Sequence, residues 1–192
     1  IGGDNRKWNR LSFYENLSYS YRDRYLATAS LSFDGSTRVG RNAVNTLKIF
    51  GVPFSIFYSA GAAWRISQEA FLKHFSPLEE LKMRFSYGRV GNDDIGETTA
   101  TNYYKIVKFR ETTGLYPALV PNDELSYEVI SRINGGIDLS LFGNRISTKI
   151  DLYRSTTDNL LVFVPLDAYF GYDFSSENRG KMENKGLEFH IF

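Results

Sequence analysis

The residues from Gly135 to Tyr153 read GGIDLSLFGNRISTKIDLY and predict a β-hairpin. The Gly143–Asn144 pair is a strong signal for a two-residue turn, because glycine supplies the positive φ that a type II′ turn needs at its first central position. Folding the chain about this turn pairs Leu141 with Ile146, Leu139 with Thr148, Ile137 with Ile150, Ser140 with Ser147, Asp138 with Lys149, and Gly136 with Asp151. One face of the hairpin is then mainly apolar and the other is polar with opposite charges paired across it, so a one-residue slip would mix the two faces.

Composition narrows the classes of protein that such a hairpin can belong to. Aromatic residues make up 16% of the 192 residues, which is high for a soluble domain, and the net charge of +1 gives no support to nucleic-acid binding. The absence of cysteine excludes a disulfide framework and thiolate metal sites. No segment reaches the ~18 consecutive apolar residues of a transmembrane helix, but the strands of a membrane barrel carry a much weaker signal.

Alternation of apolar and polar residues predicts five further strands. They are Asn9–Tyr21, Tyr25–Phe33, Pro53–Ile66, Leu81–Tyr87 and Lys185–Phe192. A three-residue turn at residues 22–24 joins the first two strands, since it keeps Tyr21 and Tyr25 on the same face. Ser67 followed by Glu69 predicts a short helical turn with N-terminal capping.

The connections between these strands alternate in length along the chain. Residues 34–51, 91–132 and 156–184 form long polar segments, whereas the connections between them are short or of medium length. Outer-membrane barrels have short periplasmic turns and longer extracellular loops, and a soluble sandwich has no reason to place its long loops at one end. Tyr19, Tyr21, Tyr25 and Trp64 lie beside the shorter connections, where an interfacial aromatic girdle is expected. The pattern predicts an all-β, antiparallel up-and-down transmembrane β-barrel with long extracellular loops.

Five collinear segments resemble the SusC/RagA family of TonB-dependent outer-membrane transporters of Bacteroidetes. They are YRDRYLATASLSFDGSTRVG (Tyr21–Gly40), AGAAWRISQEAFLK (Ala60–Lys73), LKMRFSYGRVGN (Leu81–Asn92), FGNRISTKIDLYRSTTDNLL (Phe142–Leu161) and NRGKMENKGLEF (Asn178–Phe189). Two features depart from the family. Val39 stands where the family usually has an aromatic residue, and Thr46–Tyr58 matches poorly.

The resemblance implies that residues 1–192 are part of a barrel domain like the 22-stranded type with a plugged lumen. The plug, the TonB-contacting segment and the other strands would lie outside this chain. Such a protein imports a large nutrient, a glycan or an oligopeptide, across the bacterial outer membrane. A SusD-like surface lipoprotein caps it, the TonB complex supplies energy, and outer-membrane lipid surrounds it. No bond is made or broken, so the resemblance implies a protein that is not an enzyme.

Eight loop residues are candidates for contact with the ligand or a partner: Asp34, Arg38, Asp93, Asp94, Tyr103, Tyr104, Tyr169 and Tyr172. Asp34 and Arg38 belong to the motif DGS-x-R, which could instead form a strand-exit turn with Asp and Ser bonded to their own backbone and Gly35 at positive φ. Asp93 and Asp94, with Glu97, could bind Ca²⁺ or be simply solvated. The tyrosines could stack on sugar rings, anchor a partner, or pack the loops together.

The sequence predicts no catalytic site and no cofactor or metal site other than this possible Ca²⁺. His74 and His190 lie far apart, and no nucleophile, base and orienting group occur together. Asp138, Lys149 and Asp151 are expected on the lumen side as a paired polar wall. The first alternative is a soluble extracellular β-sandwich that binds carbohydrate, which would close its apolar faces on each other. A barrel enzyme and a purely structural barrel are the other two.

Overall fold

The computed structural model describes residues 7–72, 74–96, 99–100, 104–117, 120–172 and 174–192, apart from the side chains of Lys105, Phe109, Tyr116, Pro117 and Ala168. The strands are β1 (Arg10–Tyr21), β2 (Tyr25–Ser36), β3 (Leu47–Ile49), β4 (Val52–Arg65), β5 (Leu78–Asn92), β6 (Tyr104–Phe109), β7 (Thr112–Pro117), β8 (Glu128–Leu141), β9 (Ile146–Pro165) and β10 (Phe174–Ile191). Two single-turn 3₁₀ helices span Ile66–Gln68 and Ala168–Phe170. In the described segments, no helix has the length and apolarity needed to cross a membrane.

Eight of the strands form one antiparallel sheet in the order β1-β2-β4-β5-β8-β9-β10, with β3 paired to the start of β4. Strands β6 and β7 form a separate hairpin. Neighbours in the main sheet follow one another along the chain, so the sheet is an up-and-down meander. The predicted all-β antiparallel fold is confirmed. Within the described residues the sheet does not close on itself, since β1 and β10 each have one strand neighbour.

The register of the β8–β9 hairpin is the one that the sequence predicts. Leu141 pairs with Ile146, Ile137 with Ile150, and the intervening pairs agree. The type II′ turn is wrong, because Asn144 has a φ of 63° and Phe142 a φ of 55°, whereas a type II′ turn has positive φ only at its first central residue. The turn spans residues 142–145 and has the same centre as the predicted one, so the side-chain faces are unchanged.

Several strand boundaries differ from the prediction. Strands β9 and β10 continue through most of residues 156–184, where the sequence predicts a long loop, and pair as far as Pro165 with Phe174. The β6–β7 hairpin lies within the segment 91–132, also predicted as a loop. In both regions apolar residues occupy consecutive positions, as at residues 160–165 and at Ile106 and Val107, and therefore lie on both faces. The alternation is lost although the backbone ladder continues.

The predicted capping of the turn after β4 is also wrong. Ser67 lies inside the 3₁₀ turn, and the N-cap position is Arg65, whose side chain makes no capping hydrogen bond. Ser67 is buried, and its hydroxyl has no hydrogen-bond partner among the described residues, so it does not cap the turn. The carboxylate of Glu69 bonds to side chains of other strands instead.

One face of the main sheet is apolar and open to its surroundings. Phe85, Leu152 and Leu187 lie in one row across β5, β9 and β10 and are 58%, 59% and 66% exposed. No second sheet covers them in the described part of the chain, so the apolar faces do not close on each other as a β-sandwich requires. The rings of Tyr25 and Trp64 stack at 6.3 Å at the end of the sheet with the tight turns, as expected for an aromatic girdle.

The opposite face of the sheet is polar and cross-linked by ion pairs. Arg84 on β5 bonds to Asp138 on β8 at 2.8 Å and to Asp151 on β9 at 3.0 Å. Lys82 also reaches Asp138, at 3.2 Å. Lys149 lies directly opposite Asp138, as predicted, but the described ion pairs of Asp138 are with β5 rather than with Lys149. The polar wall is therefore tied across three strands.

Candidate functional site

The long connections pack against the polar side of the sheet, at the end opposite the tight turns. Phe57 alternates with Ile56 and Tyr58 of the apolar face and therefore points to the polar side. One buried cluster consists of Val39, Ala43, Phe57 and Tyr127, and a second consists of Ile95, Ala100 and Leu125 with Leu161 packed against it. These clusters hold residues 37–46, 93–96, 99–100 and 120–127 as one compact cap, which is called the loop cap below.

Backbone contacts lock two parts of the loop cap together at Gly40. The Gly40 N–H donates to the carbonyl of Leu125 at 2.7 Å, and the Asn42 N–H donates to the carbonyl of Asp123 at 2.8 Å. The Asn42 amide also bonds to the Asp123 carboxylate at 2.7 Å. A Cβ atom at position 40 would lie 2.1 Å from the carbonyl oxygen of Asp123, so only glycine fits at this crossing.

We expect Gly40→Ala to loosen the loop cap and leave the sheet in place. Overpacking against backbone atoms costs about 1–3 kcal/mol, enough to separate residues 37–46 from 120–127. The measurement is limited proteolysis of intact cells, with faster cleavage in the loop cap expected for the variant. Gly114→Ala is the control, because the nearest atom to its Cβ would be 3.9 Å away. Equal cleavage rates for both variants would contradict the packing described here.

A chain of charged groups lies beside these clusters. Arg10 at the start of β1 bonds to Asp34 at 3.3 Å and reaches Asp93 at 3.7 Å. The Ser32 hydroxyl donates to the second oxygen of Asp34 at 2.9 Å. The Tyr127 hydroxyl donates to the Asp34 backbone carbonyl at 3.3 Å, and burial raises the pKa of Tyr127 far above its ordinary value, so it remains a donor. Arg10 thus joins two buried carboxylates.

Arg38 and Asp94 form a second ion pair next to this chain of charged groups, because Asp94 directly follows Asp93. The Arg38 guanidinium lies 4.1 Å from the centre of the Trp8 ring and bonds to Asp94 at 3.5 Å. The side chain of Arg38 is mostly buried, whereas that of Asp94 is 82% exposed. The structure therefore brings four predicted site residues into one group, namely Asp34, Arg38, Asp93 and Asp94. Arg10 and Tyr127, which the sequence analysis missed, complete it.

The predicted turn chemistry of the DGS-x-R motif is only partly right. Strand β2 continues through Gly35, which pairs with Leu11 and has no positive φ. Glycine is needed there because a Cβ atom would lie 2.9 Å from the ring of Phe54. Asp34 bonds to Ser32 and Arg10 side chains rather than to its own backbone. The predicted hydrogen bond between the serine side chain and the nearby backbone is confirmed, since the Arg38 N–H donates to the Ser36 hydroxyl at 3.3 Å.

The predicted tyrosines lie apart from this charged group. Tyr104 begins strand β6 and is 54% exposed, and Tyr169 is 93% exposed beside Phe170, at 5.8 Å between ring centres. Tyr172 is half-buried, and Tyr103 lies outside the described residues. Tyr104 and Tyr169 therefore do not pack the loops against each other. Their rings are open to a ligand or a partner.

The acidic residues proposed for Ca²⁺ are bonded to arginines. Asp93 faces Arg10 and Asp94 faces Arg38, while Glu97 lies outside the described residues. Among the residues that the structure describes, no group of three or more Asp, Glu or His side chains is arranged to hold a metal ion.

Two neighbouring cavities open at the loop cap. The larger one, of about 820 Å³, is lined by residues that include Ser36, Thr37, Arg41, Val52, Pro121 and Asp123. The smaller one, of about 390 Å³, is lined by residues that include Pro121, Asn122, Glu124, Asn159, Glu177 and Asn178. The smaller cavity is rich in amide, hydroxyl and carboxylate groups, which bind polar ligands by hydrogen bonds. The larger one combines the hydroxyls of Ser36 and Thr37 and the charges of Arg41 and Asp123 with apolar valine, proline and alanine side chains. No histidine belongs to the described lining of either cavity.

Comparison with known proteins agrees with this geometry. A sequence model of the family described as "TonB dependent receptor-like, beta-barrel" matches residues 2–191. The TonB-dependent receptor P39 of Formosa agariphila is 35% identical over 94% of this chain, and the TonB-dependent receptor SusC of Bacteroides thetaiotaomicron is 32% identical over 94%. The chain spans 17% and 18% of the length of these two relatives.

A solved structure, the RagAB peptide transporter, matches with a TM-score of 0.83 and 28% identity, over 96% of this chain and 20% of that one. The resemblance to the SusC/RagA family is therefore confirmed. The exposed apolar face and the one-sided distribution of long connections are those of an outer-membrane barrel. The chain belongs to the TonB-dependent receptor-like β-barrel family and is part of the barrel wall of a bacterial outer-membrane protein.

Proposed function

We propose that this chain is a section of the barrel and extracellular loops of a TonB-dependent importer of a large nutrient, a glycan or an oligopeptide. The observation that carries the proposal is the asymmetry of the sheet. Its apolar face is open along the strands, and its polar face carries a compact loop cap with two cavities at the extracellular end. An importer needs both features, because it must be anchored in lipid and must hold a polar ligand before transport.

In the proposed cycle, the loop cap and its cavities contribute to capture of the ligand from outside the cell. The ion-paired wall around Arg84 lines the path beside the plug. A SusD-like surface lipoprotein closes over the ligand, and the TonB complex displaces the plug by pulling from the periplasmic side. The cycle makes and breaks no bond in the ligand.

The β6–β7 hairpin is the part of the chain best suited to contact the surface lipoprotein. Ile106 and Leu115 pair across the hairpin and are each 73% exposed. Tyr104 on the same face is 54% exposed, and Val107 on the other face is 45% exposed. Apolar side chains open on both faces are unfavourable in water and are typical of a surface that a partner covers.

We expect the double variant Ile106→Ser with Leu115→Ser to weaken binding of the surface lipoprotein by at least about tenfold, since two central apolar contacts are worth more than about 1.4 kcal/mol together. The measurement is recovery of the lipoprotein with the barrel after purification from outer membranes. Phe50→Ser is the control, because Phe50 is also fully exposed but lies in the β3–β4 turn. Undiminished recovery with the double variant would remove the hairpin from the interface.

The import function itself is tested by deleting the complete gene and supplying single nutrients. Loss of growth on one class, glycans or oligopeptides, identifies the substrate, and growth should return with the intact gene. Uptake should also stop when the proton gradient is collapsed, because TonB-dependent transport draws on it. Normal uptake of both classes in the deletion strain would contradict the proposal.

A further inference from the structure

The connection between β4 and β5 differs from the other two turns at the periplasmic end of the sheet. Its described residues are 66–72 and 74–77, whereas those turns span residues 22–24 and 142–145. Successive backbone hydrogen bonds fold it into tight turns. The Leu72 N–H donates to the Glu69 carbonyl at 3.1 Å, and the Phe75 N–H donates to the Leu72 carbonyl at 2.9 Å. Phe71 and Phe75 project from these turns and are 72% and 57% exposed.

The carboxylate of Glu69 fixes the side of the sheet on which this connection lies. It accepts hydrogen bonds from the Tyr25 hydroxyl at 2.7 Å, the Trp64 indole N–H at 3.1 Å and the Arg24 guanidinium at 3.1 Å. These hydrogen bonds hold the pKa of Glu69 below its ordinary value, and the bond from Tyr25 has the largest effect. The carboxylate is ionised at neutral pH. Tyr25 and Trp64 belong to the apolar, lipid-facing side of the sheet. The connection is therefore held beneath that side.

On the polar side of the sheet, other residues at the same end make different contacts. Arg65 bonds to the Glu80 carboxylate at 2.9 Å and donates to the Asp23 carbonyl at 3.4 Å. At the other end of the connection, the Phe142 N–H donates to the carbonyl of Pro77 at 2.8 Å, and the Phe142 ring is 55% exposed. The connection is thus attached at both ends and cannot turn freely towards the lumen.

We propose that residues 66–72 and 74–77 lie in the headgroup region of the inner leaflet of the outer membrane, with Phe71 and Phe75 inserted at the boundary of the acyl chains. The proposal rests on continuity with the lipid-facing surface. Glu69 bonds to both members of the aromatic girdle, Tyr25 and Trp64, and the two exposed phenylalanines follow it in the connection. Aromatic side chains gain free energy at this boundary, whereas leaving two of them in water is unfavourable.

The test places a spin label at Phe71→Cys and Phe75→Cys in the complete protein, folded in phospholipid bilayers. Collision rates with oxygen and with a water-soluble nickel chelate report whether each label is in lipid or in water. Phe50→Cys provides the matched control, because Phe50 is fully exposed at the extracellular end. We expect the ratio of oxygen to nickel collisions to be several-fold higher at positions 71 and 75 than at position 50.

Equal ratios at the three positions would overturn the proposal, and so would protection of labels 71 and 75 from both reagents, which indicates a covering protein. Adding Glu69→Ala to the Phe71→Cys variant should lower its ratio towards that of position 50. An unchanged ratio would overturn the positioning role of Glu69. The readout needs only an inserted barrel, so it can fail or succeed independently of import.

Discussion

Lysine in place of Phe85 is expected to remove most of the folded protein from the outer membrane. Phe85 is 58% exposed on the apolar face, between Ala62 and Gly135 in its row across the sheet. A lysine that faces the hydrocarbon near the bilayer midplane costs about 2–4 kcal/mol. That cost applies to the inserted state and not to the unfolded chain in the periplasm. The measurement is the amount of heat-modifiable, folded barrel in isolated outer membranes.

Ser86→Lys is the matched control for this prediction. Ser86 is the next residue along β5, points to the polar face, and is exposed in the same way. The same substitution there should leave the amount of folded protein close to that of the parent. If both variants assembled equally well, or if Ser86→Lys were the more harmful, the assignment of the two faces would be wrong.

Arg84→Met is expected to destabilise the barrel by about 2–4 kcal/mol, because removing one partner of a largely buried ion pair leaves uncompensated charge. Arg84 is the only described cation that bonds to both Asp138 and Asp151, and each of these carboxylates is less than one-fifth exposed. Methionine is an unbranched apolar side chain that fills most of the volume of arginine, so the effect reports mainly charge rather than packing. The measurement is the urea concentration that unfolds the protein in lipid vesicles.

Two further variants separate charge from other effects. Lys82→Met removes one ion pair of Asp138 and leaves Arg84 in place, so it should cost less than Arg84→Met. Adding Asp138→Asn and Asp151→Asn to Arg84→Met should restore part of the lost stability, since the unpaired charges are then absent. A triple variant less stable than Arg84→Met would show that the ion pairs are not the source of the effect.

The parts of the fold that were predictable from sequence are those where one face meets lipid. Between Gly135 and Leu152 the apolar residues recur at every second position, and this period fixes which residues pair. The same reasoning places Tyr21 opposite Tyr25 across the three-residue turn. The turn conformation at residues 142–145 was less accessible, because several turn types are compatible with one register.

The outer parts of β9 and β10 were not predictable in this way. Where the two strands continue past Thr156, β9 is apolar on both faces at residues 160–165 and β10 is mostly polar. The period of two is therefore absent although the hydrogen-bonded ladder persists. The β6–β7 hairpin was missed because apolar residues such as Ile106 and Val107 lie on both of its faces, so no alternation marks the strands.

Only some members of the charged group at the loop cap were predictable from the sequence. The motif at Asp34 and the acidic pair at Asp93 and Asp94 are visible in the sequence. Arg10 and Tyr127 lie 24 and 93 positions from Asp34, and no local pattern links them to it. Contacts of that separation depend on how the loops fold back over the strands, which the spacing of residues along one strand does not report.

The most direct test of the account is to measure which side chains of β8 and β9 contact lipid in a bilayer. Solid-state NMR can transfer magnetisation to each side chain either from acyl-chain protons or from water protons. We predict transfer from acyl chains to Ile137, Ile150 and Leu152, and from water to Asp138 and Asp151, alternating residue by residue. Acyl-chain transfer to both faces alike, or to neither, would contradict the proposal that the apolar face of this sheet is its lipid-facing surface.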